Sequence, residues 1–243
     1  MSRSVVATTG VKVTLEETRP AIAARSISAG YAGGLAVRDL SLEVRAGKVA
    51  LLSGANGAGK STTLMVLAGL LAPSSGLVEM HGLTAPRGLS ARVRSGLGLV
   101  TEQRNIFMSL TVRENLRLSR GSLSEALELF PELEARLPVR AGLLSGGEQQ
   151  MLALTRILVS RPKIVLADEL SQGLAPIVTK RLISALRKAA DQGAAILLVE
   201  QQIHTAIAMV DDVHVLRRGS LEWSGDVTEY RDSAKEVEAL FLE

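Results

Sequence analysis

The chain has 243 residues, 47% hydrophobic and 22% charged, with a net charge of +3 from 28 basic and 25 acidic side chains and no cysteine. The mild charge and the 2% aromatic content argue against nucleic acid as a main partner, and the missing cysteines exclude disulfides, thiolate metal sites and cysteine nucleophiles. No apolar run approaches the roughly 18 residues of a membrane span, and Val5-Val6-Ala7 is too short for a signal-peptide core, so a cytosolic chain is expected, reaching a membrane only through a partner.

In chain order, residues 1–20 are mixed and polar, end at Pro20, and read as a flexible tail ahead of one domain over 21–243. From Ile22 to Ser53, short β-like runs alternate with turn residues at Gly30, Gly33-Gly34 and Ala46-Gly47, a spacing that suggests antiparallel pairing. Within that stretch Val49-Ala50-Leu51-Leu52 reads as a buried strand. Thr62-Thr63-Leu64-Met65-Val66-Leu67 opens a helix expected to reach about Leu71. Turn pairs at Ser75-Gly76 and His81-Gly82 bracket a strand at Leu77-Val78-Glu79-Met80, and another strand is expected near Gly98-Leu99-Val100. Capping boxes at Thr111 with Glu114, Ser122 with Glu125 and Ser145 with Glu148 each start a helix; Pro131 and Pro138 break up the helical segment 110–140. Beyond 164 a strand (Ile164-Val165-Leu166-Ala167), a helix (Ile177 to Gln192, with Pro176 at its entrance and Gly193 past its end) and a strand (Ala194 to Val199) alternate. That alternation implies a parallel α/β core.

Three constellations carry chemistry. Gly54-Ala55-Asn56-Gly57-Ala58-Gly59-Lys60-Ser61 fits G-x-x-x-x-G-K-[ST] between a strand and a helix, the phosphate-binding loop of nucleotide hydrolases. Gly54, Gly57 and Gly59 let backbone N–H groups approach an anion, Lys60 can reach the β/γ-phosphates, and the Ser61 hydroxyl can ligate Mg²⁺. Asp168-Glu169 follows the strand at 164–167, at the carboxyl end where ligands of such sheets bind. Asp168 is placed to hold Mg²⁺, commonly through water, and Glu169 to orient or deprotonate an attacking water. Leu144-Ser145-Gly146-Gly147-Glu148-Gln149-Gln150 opens a helix whose N-terminus, with a serine and two glycines, offers a second anion site. Two phosphate sites with one lysine loop suggest a head-to-tail pair of chains, each lending its serine-glycine helix to the other's nucleotide.

On these residues the chain resembles the ATP-binding cassette (ABC) family over about 21–243. It is more closely similar to the LivF-type ATPases of branched-chain amino acid importers, through Arg140 to Ala153, Gly173-Leu174-Ala175-Pro176-Ile177, Ser109 to Leu116, and Leu198-Val199-Glu200-Gln201-Gln202. The resemblance implies an α/β fold: an ABC-type P-loop core with an antiparallel β subdomain and a helical subdomain at about 103–150. It implies ATP and Mg²⁺ as cofactors. Nucleotide contacts would come from Tyr31 (stacked on adenine), Asn56, Gly57, Gly59, Lys60, Ser61 and Thr62, with Ser145, Gly146 and Gly147 acting from the partner. The metal would be held by Ser61, Asp168 and either Glu102 or Gln103, and catalysis would rest on Lys60, Glu169 and Gln201. Gln201 stands where the wider family has a switch histidine, and His204 is expected inside the next helix. Leu170 replaces the family's proline, and Ala175 an aspartate. Implied partners are a second ATPase subunit and membrane permeases, with a substrate-binding protein reached indirectly and no nucleic acid; the chain would sit peripherally on the inner face of the cell membrane. A urea or amide importer ATPase, a soluble non-transport ABC ATPase and a nucleotide-binding regulatory subunit without turnover are the alternatives.

Overall fold

The computed structural model describes residues 19–201 and 203–239; of the expected tail at 1–20, residues 1–18 lie outside the described residues. The first strands, β1 (Ile22–Tyr31) and β2 (Gly34–Val44), form an antiparallel hairpin. They are long, not the short runs expected, because bulges near Ser26 and Ser28 carry β1 past its polar interruptions. On its other edge β1 pairs with β4 (Ser75–Met80), which pairs in turn with β5 (Leu83–Thr84), completing an antiparallel sheet.

Between these, β3 (Val49–Gly54) leaves the antiparallel layer, although the turn spacing had grouped it there. Its run of buried residues suits a strand covered on both faces, which belongs in a parallel sheet. It joins β6 (Leu97–Val100), β7 (Ile164–Asp168), β8 (Ala195–Val199), β9 (Asp212–Arg217) and β10 (Ser220–Asp226) in the order β10-β9-β3-β8-β7-β6. The strands from β9 to β6 run parallel, and β10 returns antiparallel on β9. Side-chain alternation then divides the interior in two. Val49, Leu51, Val165, Ala167, Ile196 and Leu198 face one core; Ala50, Leu52, Ile164, Leu166, Leu197 and Val199 face the other.

The second of these cores lies against the antiparallel sheet and α1 (Lys60–Ala68), followed by the short α2 (Leu89–Arg94). The helix α1 starts two residues before the expected Thr62 and ends at Ala68, because Gly69 takes a left-handed conformation and caps it. On the other face lie α3 (Val112–Arg117), α4 (Leu123–Leu129), α5 (Gly146–Leu158) and α6 (Pro176–Asp191). All three expected capping boxes form, and α6 buries Leu182, Ile183, Leu186 and Ala190 at helical spacing. Each such leucine contributes about 1.5–3 kcal/mol on burial. The chain closes with α7 (Val227–Asp232) and α8 (Ala234–Ala239); α7 carries a fourth capping box, Asp226 with Glu229.

The strand ends opposite the phosphate loop are pinned by one carboxylate. Asp211 accepts from Val49 N (2.8 Å) and Arg187 Nη1 (2.6 Å) through Oδ2, and from Lys48 Nζ (3.1 Å) through Oδ1. Burial acts to raise its pKa, but the Val49 N–H, Arg187 and Lys48 together hold it below the ordinary aspartate range. Stabilisation from a depressed carboxylate is present above the unfolded value of about 3.9 and is lost as pH falls through the folded one. Asp211→Asn is therefore expected to cost about 1–3 kcal/mol at pH 7. Urea unfolding should show the gap to wild type closing below about pH 4; a gap unchanged at pH 3 would assign the cost to something other than this charge.

Candidate functional site

The carboxyl ends of β3, β7 and β8 lie level at one edge of the parallel sheet, and nearly every residue singled out above is carried by the segments that leave them. Leu52 is paired with Val199, and Val199 with Asp168. From β3 the chain turns through Gly54 (φ 153°) and Gly59 (φ 106°). A Cβ on Gly54 would stand 2.3 Å from the Leu216 carbonyl oxygen, and one on Gly59 would stand 2.7 Å from that of Ala36. Only glycine fits both the dihedrals and the packing. No side chain caps α1, so its first-turn N–H groups remain available to an anion. Lys60 is 5% exposed and donates to the carbonyls of Gly54 (2.8 Å) and Ala55 (3.1 Å), lying along the loop. Burial lowers its pKa, and the charges of Glu169, Asp168 and Glu200 oppose that shift.

Asp168 ends β7 and is buried. Burial pushes its carboxyl up to about 6, the Ser61 hydroxyl beside it opposes the rise, and the charges of Glu169 and Glu102 add to it. Its Oδ1 has no hydrogen-bond partner. A buried carboxylate oxygen left unpaired, next to a serine hydroxyl and within electrostatic reach of two more acids, fits a divalent cation. Among the described residues no cluster of three or more His, Asp or Glu could hold a metal alone. Of the two sequence candidates Glu102 and Gln103, both exposed, Glu102 is the one whose charge reaches Asp168.

Glu169 follows with φ 45°, a left-handed conformation uncommon for this residue type. Its N–H donates to the Val199 carbonyl (2.9 Å), and its Oε1 accepts from Gln201 Nε2 (2.9 Å). The structure thus brings Gln201 and Glu169 into contact across neighbouring strand ends. His204 lies in a short 3₁₀ turn, Ile203–Thr205, and not in the α-helix expected for it. It is exposed and lines the same cleft of about 490 Å³ as Glu169, Glu200 and Gln201. Leu170 is fully buried, its side chain packed in the core.

Tyr31 ends β1, is 59% exposed, and donates its hydroxyl to the Met65 sulfur of α1 (3.2 Å), which places it beside the loop's helix. Asn56 and Gly57 are exposed on the loop, while Thr62 is buried in α1. Ser145, Gly146 and Gly147 form the start of α5. Ser145 caps α5, its oxygen accepting from Glu148 N (3.3 Å), and Arg136 in turn binds Glu148 (2.6 Å). Sequence reasoning missed two residues. Arg104 donates to Gln149 Oε1 (2.6 Å) and Gln150 Oε1 (3.1 Å), tying the Glu102 loop to α5. Glu200, 1% exposed, was read only as part of a family tract, although a charged residue ending an apolar strand was visible.

A glycine loop with a buried lysine, a serine and two strand-end carboxylates on a parallel sheet define a P-loop nucleotide-binding α/β protein. The family model described as ABC transporter matches residues 37–172. The branched-chain amino acid transport ATP-binding protein BraG of Pseudomonas aeruginosa is 39% identical over 80% of this chain and 88% of its own. A probable branched-chain amino acid transport ATP-binding protein, LivF, of Archaeoglobus fulgidus is 31% identical over 86% and 93%. A Nod factor export ATP-binding protein of Neorhizobium galegae is 35% identical over 83% and 60%. Among solved structures, a bacterial ABC transporter cassette determined as a dimer matches with a TM-score of 0.75 and 25% identity, over 85% of this chain and 98% of that one. The chain belongs to the ABC transporter family, and it is an ATP-binding cassette, an ATPase of that family.

Proposed function

We infer that this cassette drives import of branched-chain or related amino acids, hydrolysing Mg-ATP in a dimer docked on permease subunits. The observation that carries the hydrolytic reading is the Gln201–Glu169 contact at 2.9 Å, one strand end away from Asp168 and the Lys60 loop. The 39% identity to an amino-acid transport cassette supports the substrate.

The loop amides around Asn56, Gly57, Gly59, Ser61 and Thr62 cradle the phosphates, and Lys60 leaves its carbonyl partners to meet the β/γ-oxygens. Tyr31 offers its ring to adenine. Ser61 and Asp168, with Glu102, are the residues that would hold Mg²⁺, which would supply positive charge against that of the phosphates. Glu169 orients the attacking water and accepts its proton at the carboxylate. Gln201, an amide that does not titrate, holds Glu169 and donates toward the γ-phosphate. The serine-glycine start of α5 faces outward, consistent with service to the nucleotide of a second copy. Among the described residues no helix is long and apolar enough to cross a membrane. Phe107, Met108 and Leu143, each about half exposed or more within the 103–150 region, suit docking by a permease, which would place the chain at the inner membrane face.

Two experiments test this. In cells carrying the assembled transporter, labelled leucine uptake should depend on this chain. Glu169→Gln should abolish that uptake, with phosphate release falling about 10²-fold or more and ATP binding retained. Accumulation of labelled urea or a short amide in place of leucine would overturn the substrate and leave the ATPase reading intact. Ser145→Arg and Lys60→Ala should each be inactive alone, yet regain hydrolysis when mixed, because one composite site of the mixed dimer then carries neither change. Mixed dimers that form without regaining activity would show that each chain builds its own site.

A further inference from the structure

Among the described residues, one buried acid remains without a role at the nucleotide. Glu200 directly follows β8, is 1% exposed, and faces the segment that leaves β7. Its Oε2 accepts from the Ser171 hydroxyl (2.5 Å) and its Oε1 from the Ser171 backbone N–H (3.1 Å). A carboxylate is costly to bury, and here both oxygens are spent on one residue of a loop. The bonds of its neighbours span the same two segments: the Glu169 N–H donates to the Val199 carbonyl, and Gln201 Nε2 donates back to Glu169 Oε1. The segments after β7 and β8 are therefore joined by three rungs, and the Glu200–Ser171 rung rests on a buried carboxyl group. Between the rungs sits Glu169, whose φ of 45° requires its surroundings to hold it. A proline after it would restrict it toward extended φ/ψ; Leu170 imposes no such restriction.

We propose that Glu200 is a positioning residue for hydrolysis: by gripping Ser171 it fixes the loop that carries Glu169 and so aims the Glu169 carboxylate. Both its oxygens are engaged by Ser171, so it acts through that loop. Its effect falls on the chemical step, since the Lys60 loop and the adenine platform are held by other contacts. This inference rests on Glu169 being the group that handles the attacking water.

The test is steady-state ATP hydrolysis and nucleotide affinity for purified Glu200→Ala, Glu200→Gln, Ser171→Ala and the Glu200→Ala/Ser171→Ala pair, with Glu169→Gln as reference. Glu200→Ala and Ser171→Ala are each expected to lower kcat about tenfold with KM for ATP changed less than about twofold, and the pair should lose little more than either alone, as for two halves of one interaction. Glu200→Gln should recover at least about a third of wild-type kcat, because an amide can still accept the Ser171 N–H and donate to its hydroxyl. If Glu200→Ala does not fold, Ser171→Ala and Glu200→Gln carry the same comparison. Wild-type kcat in Ser171→Ala, additive losses in the pair, or Glu200→Gln as impaired as Glu200→Ala would overturn the proposal. Wild-type turnover in Glu169→Gln would instead overturn the reading beneath it.

Discussion

The whole site depends on the register of three parallel strands. Val199 is level with Leu52 on one side and with Asp168 on the other, so the chain leaves β3, β7 and β8 at the same height. Lys60, Asp168-Glu169 and Glu200-Gln201 then share one edge, although Lys60 lies about a hundred residues or more from the others in sequence. Because side chains alternate along a strand, a slip of one residue would move Leu51, Val165 and Ile196 into the wrong core and swing Asp168 away from Ser61. Burial on both faces makes that slip prohibitive. The hydrophobic pattern that stabilises the sheet is thus what aligns the polar groups beyond its end.

Those groups are held in a state that water would not choose. The lysine ammonium is desolvated, Asp168 and Glu200 are pushed up to about 6 and about 7 by burial, and Glu169 is bent into a left-handed conformation. Three of these departures are compensated nearby: Lys60 by loop carbonyls and facing carboxylates, Glu200 by Ser171, Glu169 by Val199 and Gln201. Asp168 Oδ1 is left without a partner. An edge that gathers four acids, Glu102 included, around one buried cation is poised for a cation-bearing polyphosphate.

Much of this was legible in the residues themselves. The phosphate loop, the β7 acids and three capping boxes rest on local spacing, and local spacing is what a single sequence displays. Strand partnership is less local, and β3 was grouped with the antiparallel hairpin because turn residues flank both. The apolar run through Leu70 and Leu71 suggests a longer helix than α1, which Gly69 ends at Ala68. The hairpin β9–β10 and the box at Asp226 with Glu229 carried readable signals, a turn at Arg218-Gly219 and the four-residue spacing Asp226-Val227-Thr228-Glu229, that went unread. What no local pattern could show is contact across strand ends. The Gln201–Glu169 and Glu200–Ser171 bonds join residues about thirty apart, and Arg104 reaches Gln149 over a longer interval still.

The central claim is that the level strand ends form one ATP site in which Lys60 is the cation built for the phosphates. Equilibrium binding of a fluorescent ATP analogue to wild type and to Lys60→Ala, with Mg²⁺ present and folding verified, tests it most directly. The loss of a charge-assisted contact worth about 1.5–3 kcal/mol should weaken binding roughly tenfold to a hundredfold. Equal affinity in the two proteins would contradict the account, because the buried ammonium would then have no anion to meet.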